Sequence, residues 1–261
     1  MGLIEKGNGR DEGRNFDLAA RDGADNLSSP QMLQPSLYAT ELRELSYRKT
    51  AFALATQLLG PSATFAGDHA ILKPSRIGGP TPWHQDEAFR DANFDYDEIS
   101  IWIALTDTTI ENGPMQYIPG SHLLGVLPHR LHGNSNDANS IECYDGFDPS
   151  TAAVCPIPAG AMIIHGGRTL HGAPANKSSA TRLAYVLQFS TPPTTRAEFR
   201  EFPWLVNLRK SYQDRRKKSL LRGGIFPELL RIMRSDRDSH KHFISLFIRR
   251  RLNTLRNYLR R

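Results

Sequence analysis

From Thr64 to Ser190 the chain breaks into short apolar runs separated by turn signals, and this punctuation limits the fold more than any other feature of the sequence. The runs are Thr64–Lys73, Ile99–Leu105, Met115–Ile118, Val154–Ile157, Ala161–His165 and Leu183–Ser190. Between them stand Gly78-Gly79-Pro80, Asn112-Gly113-Pro114, Pro119-Gly120-Ser121, Pro158-Ala159-Gly160 and Gly166-Gly167. Proline cannot donate to a β-ladder and glycine turns the chain cheaply, so these tracts end strands. Many short strands punctuated this way predict a sandwich or barrel of jelly-roll type. A helical pattern precedes them from about Ser36 to Leu59. There Leu37, Leu42, Leu45, Phe52 and Leu59 recur near helical spacing, and Gly60-Pro61 stops the run. Helical spacing returns after Phe202. The expected fold is mainly β with flanking helices and a helical C-terminal extension.

Three regions follow from texture. Residues 1–30 are polar and glycine-rich and are expected to be flexible. Residues 31–208 hold the β-rich domain. Residues 209–261 form a basic extension. Within the domain, residues 128–150 read as a long polar surface loop, the kind that often carries function.

The charge separates along the same lines. The whole chain is at +6. Residues 209–261 hold 17 Lys/Arg and 4 Asp/Glu, a net of +13, which leaves 16 basic and 23 acidic residues and a net of −7 before them. A basic isoelectric point therefore describes the extension, and nucleic-acid binding by the body does not follow from it. In the extension, Ile248, Leu252, Leu255 and Leu259 share one helical stripe flanked by Arg249, Arg250, Arg251, Arg256, Arg260 and Arg261. Such a helix can pack on the acidic body, lie peripherally on an anionic membrane surface, or bind an acidic partner. No apolar stretch of signal-peptide or transmembrane length occurs. Two cysteines, Cys143 and Cys155, suggest neither a disulfide framework nor a thiolate metal site, and a cytoplasmic location is expected.

Chemistry concentrates in Thr81-Pro82-Trp83-His84-Gln85-Asp86. In an extended strand residues i and i+2 point to one side, so His84 and Asp86 can present an imidazole and a carboxylate to one point. A third ligand must come from elsewhere. Two histidines and one carboxylate on one face of an octahedral iron leave three positions open.

Further along, Pro158-Ala159-Gly160-Ala161-Met162-Ile163-Ile164-His165 reads as a turn and a buried strand. Gly166-Gly167-Arg168-Thr169-Leu170-His171-Gly172 follows, and Arg182 lies beyond it. With Pro82–Asp86, Ile101–Leu105, Glu111–Met115, Ile118–His122, His171-Gly172, Asn176 and Arg182, the stretch from about Gly67 to Ser190 resembles the phytanoyl-CoA dioxygenase family of iron(II)/2-oxoglutarate oxygenases. The resemblance implies a double-stranded β-helix, cupin-like, with iron at its mouth. It implies His84, Asp86 and His171 as metal ligands. It implies Arg182 as the receiver of the distal carboxylate of 2-oxoglutarate, with Lys73 and Trp102 near that co-substrate. A guanidinium fork suits a carboxylate and keeps its charge. Two positions depart from the family pattern: Ala161 stands where an aspartate is usual, and Ala173 where a small hydroxylic residue often helps hold the co-substrate.

The remaining histidines have blander readings. His122 is expected to buttress the Pro-Gly-Ser-His turn. His165 is the rival of His171; the strand break after it and the spacing of His171 to Arg182 favour His171. His129 and His132 lie on the polar stretch, where they could touch substrate. The implied chemistry couples decarboxylation of 2-oxoglutarate by dioxygen, giving succinate and carbon dioxide, to hydroxylation of a C–H bond in a small molecule or an acyl or natural-product substrate. Asp86 argues against halogenation, which in related enzymes uses a small residue there. The competing readings are a non-redox, cupin-like metal isomerase or epimerase and a non-catalytic binding module. Neither substrate nor oligomeric state is legible.

Overall fold

A computed structural model describes residues 2–10, 13–18, 28–135, 139–206 and 208, all within one compact unit. The basic stripe of residues 248–259 lies outside the described residues. In chain order the elements are α1 (Gly2–Glu5), β1 (Asn15–Asp17), β2 (Pro30–Leu33), α2 (Ser46–Leu59), β3 (Thr64–Lys73), β4 (Thr81–His84), β5 (Phe94–Asp95), β6 (Glu98–Ala104), β7 (Met115–Tyr117), β8 (His129–Leu131), β9 (Ile141–Cys143), β10 (Ala153–Cys155), β11 (Met162–Gly166), β12 (His171–Ala173), β13 (Arg182–Ser190) and β14 (Thr194–Thr195).

Two sheets dominate. A six-stranded sheet runs β1-β2-β3-β13-β6-β11, and a four-stranded sheet runs β10-β7-β12-β4. Their facing sides share one apolar cluster, with Ile71, Trp102, Ala104, Ala184 and Val186 from the larger sheet and Met115, Tyr117 and Ala173 from the smaller. The other side of the larger sheet is covered by α2. Ala51 and Ala55, one helical turn apart, pack there on Ile99, Ile101, Ile103, Tyr185, Leu187 and Phe189. Alternation along β6 and β13 thus splits each strand between a helix-covered face and an inner face.

On that inner face the register sets residues in rows. Lys73 stands opposite Arg182, and His69, Val186, Trp102 and Ile163 form one row. Gly67, Gln188, Ser100 and His165 form the next. One end of the sheet interior is therefore cationic, the middle apolar, and the other end polar.

Three expectations need correction. The residues read as helical from Ser36 begin with two 3-10 turns, Pro35–Leu37 and Thr40–Arg43, and the α-helix starts only at Ser46. The cause is a long-range tie: the Asp68 carboxylate on β3 accepts the Ser36 backbone N–H at 3.2 Å and its hydroxyl at 3.0 Å. The stretch 1–30, read as flexible, contributes β1 to the larger sheet, and Asp17 accepts the Ser29 N–H at 2.8 Å. The stretch 128–150, read as a surface loop, contains the β8–β9 hairpin. Its inward residues Leu131 and Ile141 are buried beside Ala88, whereas Arg130 and Glu142 face outward. The outward residues supplied the polarity that suggested a loop. Among the described residues, no helix is long and apolar enough to cross a membrane.

Phe189 sits at the centre of the α2-covered face, 1% exposed, with its ring against Phe52 and Phe65. Phe189→Ala is expected to lower unfolding stability by about 3–5 kcal/mol, read by chemical denaturation. A loss under 1 kcal/mol (roughly, for a collapsed cavity) would show that this face is not the main core.

Candidate metal centre

The smaller sheet builds the centre. β12 pairs with β4 so that His171 is the direct partner of His84. Their rings consequently lie side by side, centroids 4.3 Å apart. β4 ends at His84, but Gln85 keeps extended angles of φ −116° and ψ 134°. The alternation therefore carries through to Asp86, which opens a 3-10 turn. Its Oδ1 lies 3.7 Å from His84 Nε2 and 3.8 Å from His171 Nε2. Ligand atoms of His84, Asp86 and His171 all fall within 4.8 Å of one another, close enough for one ion to bind all three.

The protonation states suit a metal. His84 donates Nδ1–H to the Pro82 carbonyl at 2.8 Å, and His171 donates Nδ1–H to the Thr169 carbonyl at 2.8 Å. Each bond fixes the tautomer that leaves the Nε2 lone pair free. Burial, more than any neighbour, holds both rings below the usual imidazole range, so they are neutral. Burial works against the Asp86 carboxylate, but the imidazoles of His165, His171 and His84 together hold it well below its usual range. Two neutral nitrogens and one carboxylate are the deprotonated set a divalent ion needs. Asp86 Oδ2 accepts the Ser100 hydroxyl at 2.7 Å, which turns Oδ1 toward the histidines.

The backbone that carries these ligands is tied down on both sides. Gln85 is fully buried and donates to the carbonyls of Gly125 at 2.7 Å and Arg168 at 2.6 Å, while its Oε1 accepts the Leu127 N–H at 2.7 Å. Its own N–H donates to His129 Nε2 at 3.2 Å, and His129 donates Nδ1–H to the Leu127 carbonyl at 2.7 Å. His129 thus buttresses the metal loop rather than facing substrate. Glu87, 1% exposed, accepts Arg168 Nε at 2.8 Å and Arg200 Nη1 at 2.9 Å. Arg200 also donates to the carbonyls of Ala92 at 3.2 Å and Phe94 at 3.0 Å. Trp204 donates to the Ala88 carbonyl at 2.8 Å and packs its ring on His129. The segment 200–204 is therefore a strap over the loop that bears Asp86.

A second polar group lies at the cationic end of the inner face. Lys73 is 0% and Arg182 1% exposed. Among the described residues neither pairs with a carboxylate: Lys73 donates to the Gly79 carbonyl and Arg182 Nη1 to the Gly113 carbonyl at 2.7 Å. Arg182 Nε and Trp102 Nε1 are buried without any hydrogen-bond partner, and the guanidinium lies 4.9 Å over the Trp102 ring. Burial depresses Lys73 to about 6 and Arg182 to about 10. Burying a guanidinium and an amine with no anion beside them is costly, and an anionic guest would relieve that cost. Asn176, fully buried, donates to the carbonyls of Lys73 at 3.0 Å and Ala180 at 2.8 Å, which ties the ends of β3 and β13 together here. Gly113 has a φ of +86°, and a Cβ there would meet the Pro174 carbonyl oxygen at 2.4 Å. Only glycine lets that loop bring its carbonyl to Arg182.

The structure thus brings together His84, Asp86 and His171, and separately Lys73, Trp102 and Arg182. Two other histidine readings change. The Pro119-Gly120 turn is tied by Ser121, whose hydroxyl donates to the Ile118 carbonyl at 2.7 Å and accepts the Leu170 N–H at 2.8 Å. His122 is exposed and makes no hydrogen bond among the described residues. His132 pairs with Glu142 at 2.7 Å on the hairpin. Gln85, Tyr117, Ser100, Glu87, Arg200 and Trp204 carried no distinct sequence signal, because each acts through a partner remote in the chain.

Comparison with known proteins points the same way. A family model for phytanoyl-CoA dioxygenase (PhyH) matches residues 11–184. A probable alpha-ketoglutarate-dependent hypophosphite dioxygenase of Stutzerimonas stutzeri is 30% identical over 151 residues, 57% of this chain and 52% of that protein. Phytanoyl-CoA dioxygenase domain-containing protein 1 of Mus musculus is 32% identical over 126 residues, 45% of this chain and 41% of that one. The chain thus spans about half the length of these curated relatives. The crystal structure of EvdO2 from Micromonospora carbonacea var. aurantiaca superposes with a TM-score of 0.66 at 33% identity, covering 78% of this chain and 86% of that one. EvdO2 is also known in complex with 2-oxoglutarate.

Arg200→Ala removes three hydrogen bonds from the strap, one of them to buried Glu87. It is expected to destabilise the protein by about 1.5–3 kcal/mol and to weaken divalent-metal binding. Denaturant titration and metal titration check both effects, and wild-type behaviour in both would show that the strap is idle.

Proposed function

The chain belongs to the phytanoyl-CoA dioxygenase family, and from that premise we propose that it is an iron(II)- and 2-oxoglutarate-dependent dioxygenase that hydroxylates a C–H bond of a small molecule. The observation that carries this reading is the pairing of two sites in one interior: a His-Asp-His triad and, beyond the apolar row, the buried Arg182 guanidinium and Lys73 amine, which have no carboxylate partner among the described residues. The relative from Stutzerimonas stutzeri is named for alpha-ketoglutarate dependence, and EvdO2 has been crystallised with 2-oxoglutarate. The facing sheets are read as a double-stranded β-helix.

In this reading His84, Asp86 and His171 hold iron(II). Arg182 and Lys73 receive the distal carboxylate of 2-oxoglutarate, and Trp102 forms the wall beneath the guanidinium. Iron(II) bound there would let dioxygen act as the oxidant, with 2-oxoglutarate oxidised to succinate and carbon dioxide and the substrate C–H bond to an alcohol. The chain's own residues contribute position and dryness. Neutral His84 and His171 offer fixed lone pairs, Ser100 fixes the rotation of Asp86, and the apolar row of Val186, Trp102 and Ile163 excludes water. A cytoplasmic setting stands with this proposal, and the three roles named above for the basic residues 209–261 all remain compatible with it. A non-redox isomerase on the same scaffold needs no anion site set apart from the metal, and the buried Arg182–Lys73 group favours the oxygenase reading.

His84→Ala, Asp86→Ala and His171→Ala are each expected to abolish succinate formation. Anaerobic addition of iron(II) and 2-oxoglutarate is expected to give a visible charge-transfer band in the wild type and none in these variants. Arg182→Ala should cost about 2–5 kcal/mol of 2-oxoglutarate binding. An unchanged co-substrate requirement would exclude Arg182 from that role.

Lys73 adds a proton to the balance. Burial depresses it to about 6 before the anion arrives, so it is largely neutral at higher pH. A carboxylate partner favours the charged form and raises that value. Binding 2-oxoglutarate should therefore take up a proton, and affinity should fall as pH rises above about 6. Calorimetry in buffers of different ionisation enthalpy should find close to one proton taken up near pH 8 (about two units above the depressed value) and almost none in Lys73→Met. Equal uptake in both proteins would remove Lys73 from the anion site.

A further inference from the structure

A third histidine lies at the metal centre. His165, on the inner face of β11, has a side chain that is 5% exposed, and its ring centroid lies 4.3 Å from that of His171. That is the same separation as between His84 and His171. Proximity alone would make it a ligand, but its hydrogen bonding is of a different kind. The two triad histidines each donate Nδ1–H to a backbone carbonyl, which exposes a lone pair on Nε2. His165 Nδ1 instead meets the Tyr117 hydroxyl at 3.2 Å.

Tyr117 supplies a proton in that contact. A phenol is an O–H donor, and no other hydrogen bond is made by that hydroxyl among the described residues. With Nδ1 accepting, the ring proton of His165 belongs on Nε2. That nitrogen is buried and has no hydrogen-bond partner among the described residues, and Asp86 Oδ2 lies 3.6 Å from it. The reverse tautomer would set a lone pair against a carboxylate oxygen. A buried donor left without its bond is costly, and a fractional-ångström movement of the carboxylate brings 3.6 Å into hydrogen-bonding range.

We propose that His165 is a positioning residue: its Nε2–H, directed by Tyr117, holds Asp86 Oδ2 so that Asp86 binds the metal through Oδ1 alone. Ser100 grips the same oxygen from β6. Two donors on one carboxylate oxygen disfavour bidentate ligation by Asp86 and so keep coordination positions open for a chelating co-substrate. The inference rests on His84, Asp86 and His171 being the metal ligands.

The test uses the full chain, anaerobically, with cobalt(II) alone as the probe and its visible absorption as the readout. His165→Leu is expected to weaken cobalt(II) about 10–100-fold. His165→Gln, whose amide N–H can still donate toward Asp86, should recover most of that loss. Apo-protein unfolding temperatures of the two variants should be alike, which separates a hydrogen bond to Asp86 from general packing. Tyr117→Phe leaves the ring contact and removes the tautomer lock, so it should weaken cobalt(II) less than His165→Leu and provides the check if that variant does not fold. Wild-type affinity in His165→Leu, or in Tyr117→Phe where only that variant folds, overturns the proposal. Complete loss in His165→Leu without rescue by glutamine also overturns it, by making His165 a ligand. His171→Ala is the control: if it too binds cobalt(II) like the wild type, the metal-site reading itself fails, and not merely the role of His165.

Discussion

The antiparallel pairing of His84 with His171 is the contact on which the rest of the centre depends. A strand of four residues and one of three carry it. Strands this short have little ladder of their own, so their register must be enforced from outside. The enforcement comes from both ends. Tyr117 is the other neighbour of His171, across β7. Gly172 admits the approach of β4: a Cβ there would lie 3.1 Å from the Thr81 carbonyl oxygen and 3.3 Å from the Trp83 ring. After His84 the loop is no longer held by sheet pairing, and Gln85, Glu87, Arg200 and Trp204 take over. A one-residue slip would send one imidazole to the opposite face, which is why so much buried polar structure is spent on three residues of backbone.

The larger sheet plays a different part. Its central strands β3, β13 and β6 are long, and their inner rows set the distance between the triad and the Lys73–Arg182 pair. Ser100 and His165 belong to the row next to Asp86, and Arg182 to the opposite end of the same sheet. A rigid ladder therefore measures the gap that a two-headed anion would have to span. The helix-covered face, with Ala51 and Ala55 allowing α2 to lie close, keeps that ladder from bending.

Much of this was legible in the sequence, and the part that was not has a common physical cause. Strands between glycine and proline tracts were readable because turn chemistry is local. His84 and Asp86 were readable because period-two alternation is local too. Lys73 and Arg182 could be named only through a family resemblance, since nothing near them in the chain says that they face each other across β3 and β13. The β8–β9 hairpin was misread because its outward residues are charged and its inward ones few. The strap at Arg200 and Trp204 gave no sign of its purpose: its partners Glu87 and Ala88 lie more than 100 residues earlier, at separations of 113 and 116. His165 looked like a core histidine with good reason; only the placement of Tyr117 and Asp86 gives its two nitrogens different duties.

The charges of the interior form an incomplete set. Asp86 is held ionised beside neutral His84 and His171, while Arg182 and a weakened Lys73 have carbonyl oxygens but no carboxylate for company among the described residues. A sequence selected for stability alone would fill such positions with apolar side chains of similar volume, which commonly stabilises a fold. Three of the buried atoms without a hydrogen-bond partner among the described residues lie on the inner face of the larger sheet: Arg182 Nε and Trp102 Nε1 toward one end, His165 Nε2 toward the other. A divalent cation beside Asp86 and a dianion between that cation and Arg182 would give each charge a partner and leave the interior close to neutral. The binding energy of each guest would then include relief of a burden already present in the fold, and each guest would favour the other. Ordered addition, metal first and anion second, is the natural consequence, because the anion's near end has no cationic partner until the metal is in place.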